Sequence, residues 1–220
     1  MKFLKNLLLF SGLALLAFSC TKDDDDTGQP APVTAPNYSQ LKVGNYWIYQ
    51  RFQIDNGTVT PLNVYDSVYV EKDSVINGNR YYFLNYPSIY HGYTESRWVR
   101  DSLHYVVTST GGVDFSSEDF TNEFNHYYQI INAGADTVYW TVDQMTDQNL
   151  AVATPAGNFV TSNMRTKIVS YTYNDSAIVR YEHRRFAKNV GIVLENLPEY
   201  LLNLQNGRWK ERRLVRYHVQ

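Results

Sequence analysis

From Leu41 to the end of the chain, apolar and polar residues alternate in short runs, and turn residues interrupt those runs about every ten positions. This pattern leaves few folds open. A period of two puts successive side chains on opposite faces of a strand, whereas an amphipathic helix needs apolar residues every three or four. In residues 64–72, Val64, Val68 and Val70 fall on one face and Tyr65, Ser67 and Tyr69 on the other. The 19 tyrosines, with abundant Val, Ile, Thr and Phe, suit a pleated, half-buried surface.

Strands are expected over 46–54, 64–72, 80–85, 94–100, 103–109, 137–142, 150–154, 159–173, 177–186, 200–204 and 208–219. Asp55-Asn56-Gly57, Asn77-Gly78, Gly111-Gly112 and Asn206-Gly207 supply the turns, the last being the strongest hairpin signal. Ser116 followed by Asp119, with Phe120 and Phe124 four apart, predicts one short helix over 116–126. No internal repeat or linker divides the region. The expected fold is mainly β: a single antiparallel curved sheet or half-barrel over 38–220, with at most one or two short helices.

The first 37 residues read differently. Lys2 and Lys5 precede an apolar run over 7–18, the form of a signal-peptide core and too short to span a bilayer. Ala17-Phe18-Ser19-Cys20 resembles a lipobox, which makes 1–19 a signal peptide and Cys20 the lipid-attachment residue. Residues 20–37 read as a tether, acidic at first and then rich in Gly, Pro, Thr and Ala. The acidic run 23–26 resembles the surface-export signal of Bacteroidota lipoproteins. That implies lipid anchoring on the outer face of the cell outer membrane.

Cleavage before Cys20 removes two lysines, so 18 basic residues face 22 acidic ones and the formal charge is −4. That modest acidity gives no reason to expect nucleic acid as a partner. The lone cysteine excludes an internal disulfide and a cysteine-rich metal site.

No catalytic motif is present: no G-x-S-x-G elbow, no H-E-x-x-H, no phosphate-binding glycine loop. His91, His104, His126, His183 and His218 are scattered, and no metal or cofactor is expected. Glu118, Asp119 and Glu123 form the tightest carboxylate group, at positions where the start of a helix favours negative charge for structural reasons. Tyr86, Tyr90 and Tyr93 lie on a segment with Pro87, Ser88 and Gly92. They are the candidate ligand contacts, able to stack on sugar rings if exposed, or else to cover one end of a β core.

Residues 177–220 hold nine Lys/Arg against four Glu, and a basic stripe would form if the strands bearing Arg180/Arg184 and 208–216 were neighbours. Asp-Ser or Asp-Thr before an aliphatic residue occurs five times, as in Asp66-Ser67-Val68. It resembles an O-glycosylation motif of exported Bacteroidota proteins and equally begins turns and strands.

Four landmarks carry a family resemblance: 41–49 (LKVGNYWIY), 154–159 (TPAGNF), 188–193 (KNVGIV) and 213–217 (RLVRY). Their order and spacing resemble a group of Bacteroidota surface lipoproteins. The resemblance implies a curling antiparallel sheet similar to LolA-like half-barrel carriers, and it implies no catalytic residues. The functional expectation is a non-enzymatic binding or interaction module of the cell envelope. Its partners would be the membrane, through the lipid anchor, and an unknown envelope protein, glycan or lipid. The alternatives are a carrier holding a lipid or other apolar ligand in a half-barrel cavity, and a glycan-binding or glycan-acting surface protein.

Overall fold

The computed structural model describes residues 37–89, 93–131, 136–171, 177–199 and 207–220. Cys20, the segment 1–19 and the tether up to Pro36 lie outside the described residues. Twelve strands follow in chain order. The first six are β1 (Tyr46–Asp55), β2 (Thr58–Ile76), β3 (Asn79–Asn85), β4 (Arg97–Ser102), β5 (Tyr105–Thr108) and β6 (Val113–Ser116). The second six are β7 (Glu123–Ile131), β8 (Asp136–Thr154), β9 (Gly157–Tyr171), β10 (Ala177–Ala187), β11 (Gly191–Pro198) and β12 (Arg208–His218). All pair antiparallel in one sheet, in the order β6-β5-β4-β3-β2-β1-β12-β11-β10-β9-β8-β7.

That order explains the shape. The sheet grows by hairpins in both directions from the β1–β12 pair, so its two edges, β6 and β7, are consecutive in the chain. The sheet curls into a nearly closed barrel and the edges meet at Asn125. Its Oδ1 accepts the Val113 N–H at 2.8 Å, and its Nδ2 donates to the Val113 carbonyl at 2.6 Å. The side-chain amide thus stands in for the peptide group that a continuous ladder would supply. Asn125 has φ 49° at a register shift between Phe124 and Tyr127, a left-handed conformation that Asn tolerates better than most residues.

Two adjoining apolar clusters, both packed against Leu41, Leu84 and Ile192, occupy the interior. One joins Trp47, Tyr49, Val68, Val70, Val193 and Leu214, and the other Val99, Phe115, Phe124, Met145, Met164 and Phe186. Each such side chain removed from water contributes about 1.5–3 kcal/mol. Trp47 is further fixed by donating Nε1–H to the Val190 carbonyl at 2.5 Å. At Asp147 (φ 47°) and Asn149 (φ 61°) β8 bulges, and the register shifts between Thr146 and Leu150. Beyond the bulge the β8–β9 arm bends until the Ala156 N–H reaches the Leu214 carbonyl of β12 at 3.0 Å.

The mainly β, single curved antiparallel sheet expected from the alternation is the observed fold. The short helix over 116–126 is not. Ser116 does act as a cap, its Oγ accepting the N–H groups of Asp119 at 2.8 Å and Glu118 at 3.2 Å. The Asp119 carboxylate then takes the N–H groups of Thr121 and Asn122, donors a helix would have needed, and β7 begins at Glu123. The described residues contain no helix. Strands β6 and β11 were not expected, whereas the strand expected over 200–204 lies outside the described residues.

Candidate functional site

Directly opposed residues of an antiparallel pair share one face of the sheet. Register therefore carries one row of side chains around the inner wall: Arg51, Arg212, Glu195, Arg184, Met164 and Met145, from β1, β12, β11, β10, β9 and β8. Arg51 and Arg212 face each other across the β1–β12 pair, which alone would be repulsive. Asp66 of β2 resolves it. Arg51 grips Asp66 with two hydrogen bonds of 2.8 and 2.6 Å, and Arg212 Nη1 lies 3.7 Å from the same carboxylate.

Arg212 Nη2 also makes a short ion pair with Glu195, which accepts the Tyr86 hydroxyl at 3.0 Å. Arg184 lies 3.8 Å from Asp114 and 3.9 Å from Asp143. Arg97 Nε lies 3.0 Å from Asp114, an ion-pair distance without the alignment of a hydrogen bond. Asp143 further accepts Thr166 Oγ1 and, at 2.7 Å, the Nδ2 of the closing Asn125. Arg51, Arg97, Arg184 and Arg212 thus meet Asp66, Asp114, Asp143 and Glu195, four charges of each sign.

Arg212 is 1% exposed. Burial alone would favour loss of its proton. The surrounding anionic groups, Glu195 first, outweigh that and hold the guanidinium above its ordinary value. The same surroundings keep the tyrosines protonated. Tyr86 is pushed up to about 12 by burial, opposed by Arg212, and Tyr49 is raised well above its ordinary value, also by burial.

The segment after β3 is drawn into this layer. Arg212 Nη1 donates to the Pro87 carbonyl at 3.0 Å, and Arg51 donates to those of Ser88 at 2.9 Å and Ile89 at 3.2 Å. Guanidiniums of Arg212 and Arg97 lie 4.2 and 4.9 Å from the centre of the Tyr86 ring. A pocket of about 50 Å³ among the described residues is lined by Trp47, Tyr49, Tyr86, Arg97, Asp114 and Phe186 among others. That is room for a few waters, far below the several hundred Å³ of an organic-ligand site. A wider hollow of about 530 Å³, bordered by Gln40, Lys42, Asp73, Arg80, Tyr82 and Gln220, is open and polar-rimmed.

The candidate residues read from the sequence fall as follows. Tyr86 is buried in the ion-pair layer, so of the two placements open to it the structure shows the covered one and not an exposed stacking platform. Tyr93 is 58% exposed, and its carbonyl accepts the Ser88 N–H at 3.0 Å. Tyr90 and Cys20 lie outside the described residues. Glu118 pairs with His104, Asp119 binds the turn and the Tyr105 hydroxyl, and Glu123 sits 3.7 Å from His126. These carboxylates diverge rather than converge. Among the described residues no three His, Cys, Asp or Glu side chains come together as metal ligands would.

The condition for a basic stripe is not met. β11 separates β10 from β12, Arg184 and Arg212 join the interior layer, and Arg208 and Arg213 pair with Asp55 and Glu211. Sequence reasoning missed the layer itself, although a signal existed. Asp66 falls in phase with Val68 and Val70, Arg51 with Trp47 and Tyr49, and Arg212 with Leu214.

No family model matches the chain, and no curated protein matches it. Two solved structures are similar to it. One is a putative exported protein with a YmcC-like fold from Bacteroides fragilis, 16% identical, TM-score 0.45, covering 84% of this chain and 100% of that one. The other is a putative lipoprotein from Parabacteroides distasonis, 12% identical, TM-score 0.39, with the same coverage of both chains. Likeness at this level transfers no activity, ligand or partner.

Proposed function

We propose that the protein is a lipoprotein anchored through Cys20 to the outer face of the cell outer membrane, and that its barrel is a non-enzymatic interaction module. The observation that carries the second half is the interior. Four arginines and four carboxylates neutralise one another there, the segment after β3 is held among them, and the pocket beside them has room for about 50 Å³. A partner is therefore met by the outer wall and the loops. The anchor rests on the apolar run 7–18 and the residues around Cys20, and the surface location on the acidic run 23–26.

Metabolic labelling with an alkyne palmitate analogue tests the anchor: wild type takes up label and Cys20→Ala does not. Protease shaving of intact cells tests the surface location, and a protein shielded until lysis refutes it. Native mass spectrometry with organic extraction tests the module against the carrier. A bare protein mass supports the module, and a stoichiometric lipid would establish the carrier instead.

A further inference from the structure

The outer wall carries an organised surface that the interior layer does not use. Register places Tyr128, Trp140, Val169 and Val179 side by side across β7, β8, β9 and β10. The next outward row is Val142, Lys167 and Tyr181, and the next Gln144, Arg165 and His183. At a strand spacing of about 4.8 Å and about 6.8 Å between rows, the face measures about 14 Å each way.

Its chemistry alternates. Tyr128 is 58% exposed and Val179 46%, while Val142 and Val169 between them are only 3% and 4% exposed although they point outward, covered by the larger side chains around them. Lys167 Nζ lies 5.2 Å from the centre of the Trp140 ring, and the Arg165 guanidinium 5.0 Å from that of Tyr181. Arg165 also donates to Gln144 Oε1 at 3.1 Å. One carboxylate borders these rows: Glu123, opposite Gln144 on β7, at the edge and 3.7 Å from His126, so Lys167 and Arg165 remain in excess. The fourth adds Arg185, which Asp147 holds at 3.2 Å.

We infer that this face of β7–β10 binds a sparsely charged acidic polysaccharide, whose ring C–H faces lie on Tyr128, Trp140 and Tyr181 and whose carboxylates meet Lys167 and Arg165. The inference rests on the interaction-module reading and names that module's partner. Charge density decides between polyanions. Duplex DNA presents one charge per about 1.7 Å, far more than two cations on a 14 Å face can neutralise, and the mature chain is acidic overall. A protein partner would more commonly seat an aromatic anchor in a pocket. Here the surface is a sheet face whose Trp140 and Tyr181 rings are already paired with cations.

Native gels cast with hyaluronate, with dextran as the neutral control, test this on the detergent-solubilised full chain. The expected result is retardation by hyaluronate alone, weakened by salt and by about tenfold in Tyr128→Ser/Lys167→Gln, with Arg165→Gln as an independent second variant. Both changes lie on the outer wall, and unchanged circular dichroism certifies each fold. No retardation by hyaluronate, equal retardation by dextran, undiminished binding by both folded variants, or tighter binding of oligo-dT overturns the inference. A stoichiometric lipid in a protein that still binds hyaluronate would sink the interaction-module reading and leave this face standing. A bare protein that ignores hyaluronate would do the reverse.

Discussion

Replacing Glu195 with leucine is the most direct test of the interior charge layer. Arg212 and Glu195 are both nearly inaccessible, so solvent does not screen their pairing. The variant leaves Arg212 with Asp66 at 3.7 Å as its remaining carboxylate, and the layer with one uncompensated positive charge. Breaking a buried pair from one side costs about 3–5 kcal/mol. The Tyr86 hydroxyl also loses its acceptor, for about 1 kcal/mol more. The total of about 4–6 kcal/mol is a large part of the 5–15 kcal/mol that holds a typical domain folded. For a chain of this size it corresponds to a fall in Tm of about 10–20 °C.

Adding Arg212→Met restores neutrality, leaving three arginines against three carboxylates. It orphans the Pro87 carbonyl, for about 1 kcal/mol. The double variant should therefore lie within about 1–3 kcal/mol of wild type and above the Glu195→Leu single variant. Urea titration followed by circular dichroism gives each stability, and the cycle gives the coupling, expected to be at least about 2 kcal/mol. A single variant costing under about 1 kcal/mol, or a double variant at the sum of the singles, would refute the idea that charge balance governs this interior.

Three further changes probe other parts of the molecule. Asn125→Gly keeps the left-handed conformation but deletes the clasp on Val113; about 1–2 kcal/mol should be lost, with faster amide exchange at Val113 and along β6. His183, held below its ordinary 6.5 by burial and then by Arg185, accepts the Asn163 Nδ2–H on its Nδ1 at 3.0 Å, beside Asp147 and Arg165. The folded state binds its proton less readily than the unfolded chain, so this contribution is complete above 6.5 and is lost as pH falls through the lower folded value. His183→Gln should flatten that part of a urea-midpoint profile measured below pH 6.5, and an unchanged profile would count against it. Gly191→Ala places a Cβ 3.2 Å from Trp47 Nε1 at a residue with φ 104°; a loss of about 1–3 kcal/mol is expected in thermal melts, and neutrality would mean Trp47 can shift freely.

Most of the fold was legible because two-residue alternation and turn residues agree along much of the chain. Asn56-Gly57 and Asn77-Gly78 do adopt positive φ and close hairpins. The errors have local causes. Ser116 and Asp119 carry the signature of a helix start, yet Asp119 competes for the same backbone donors and turns the chain within six residues. Strand β11 contains Ile192-Val193-Leu194 in succession, which hides its alternation, and Glu195 then falls where an apolar residue would be expected. Residues 136–154 read as two strands because Asp147, Gln148 and Asn149 look like a loop. They are a bulge within one long strand.

The interior site was illegible for a different reason. A charged residue in a strand reads as facing water, and only partner strands reveal that it does not. Asp66 is 5% exposed because Arg51 and Arg212 arrive from β1 and β12, 15 and 146 positions along the chain. Those same pairs bear on what the barrel can do. A carrier opens its interior and loses its ligand without losing its fold. Opening this barrel at the β6–β7 seam would separate Arg184 of β10 from Asp114 of β6 and break the Asn125 clasp, and freeing the segment after β3 would pull Tyr86 from Glu195 and the Pro87 and Ser88 carbonyls from Arg212 and Arg51. Each such contact left unmade costs about 1–3 kcal/mol, so several together are comparable with the whole stability of a typical domain. An interior built this way is committed to holding the wall rigid, and a rigid wall is what keeps Tyr128, Trp140 and Tyr181 in fixed register on its outer side.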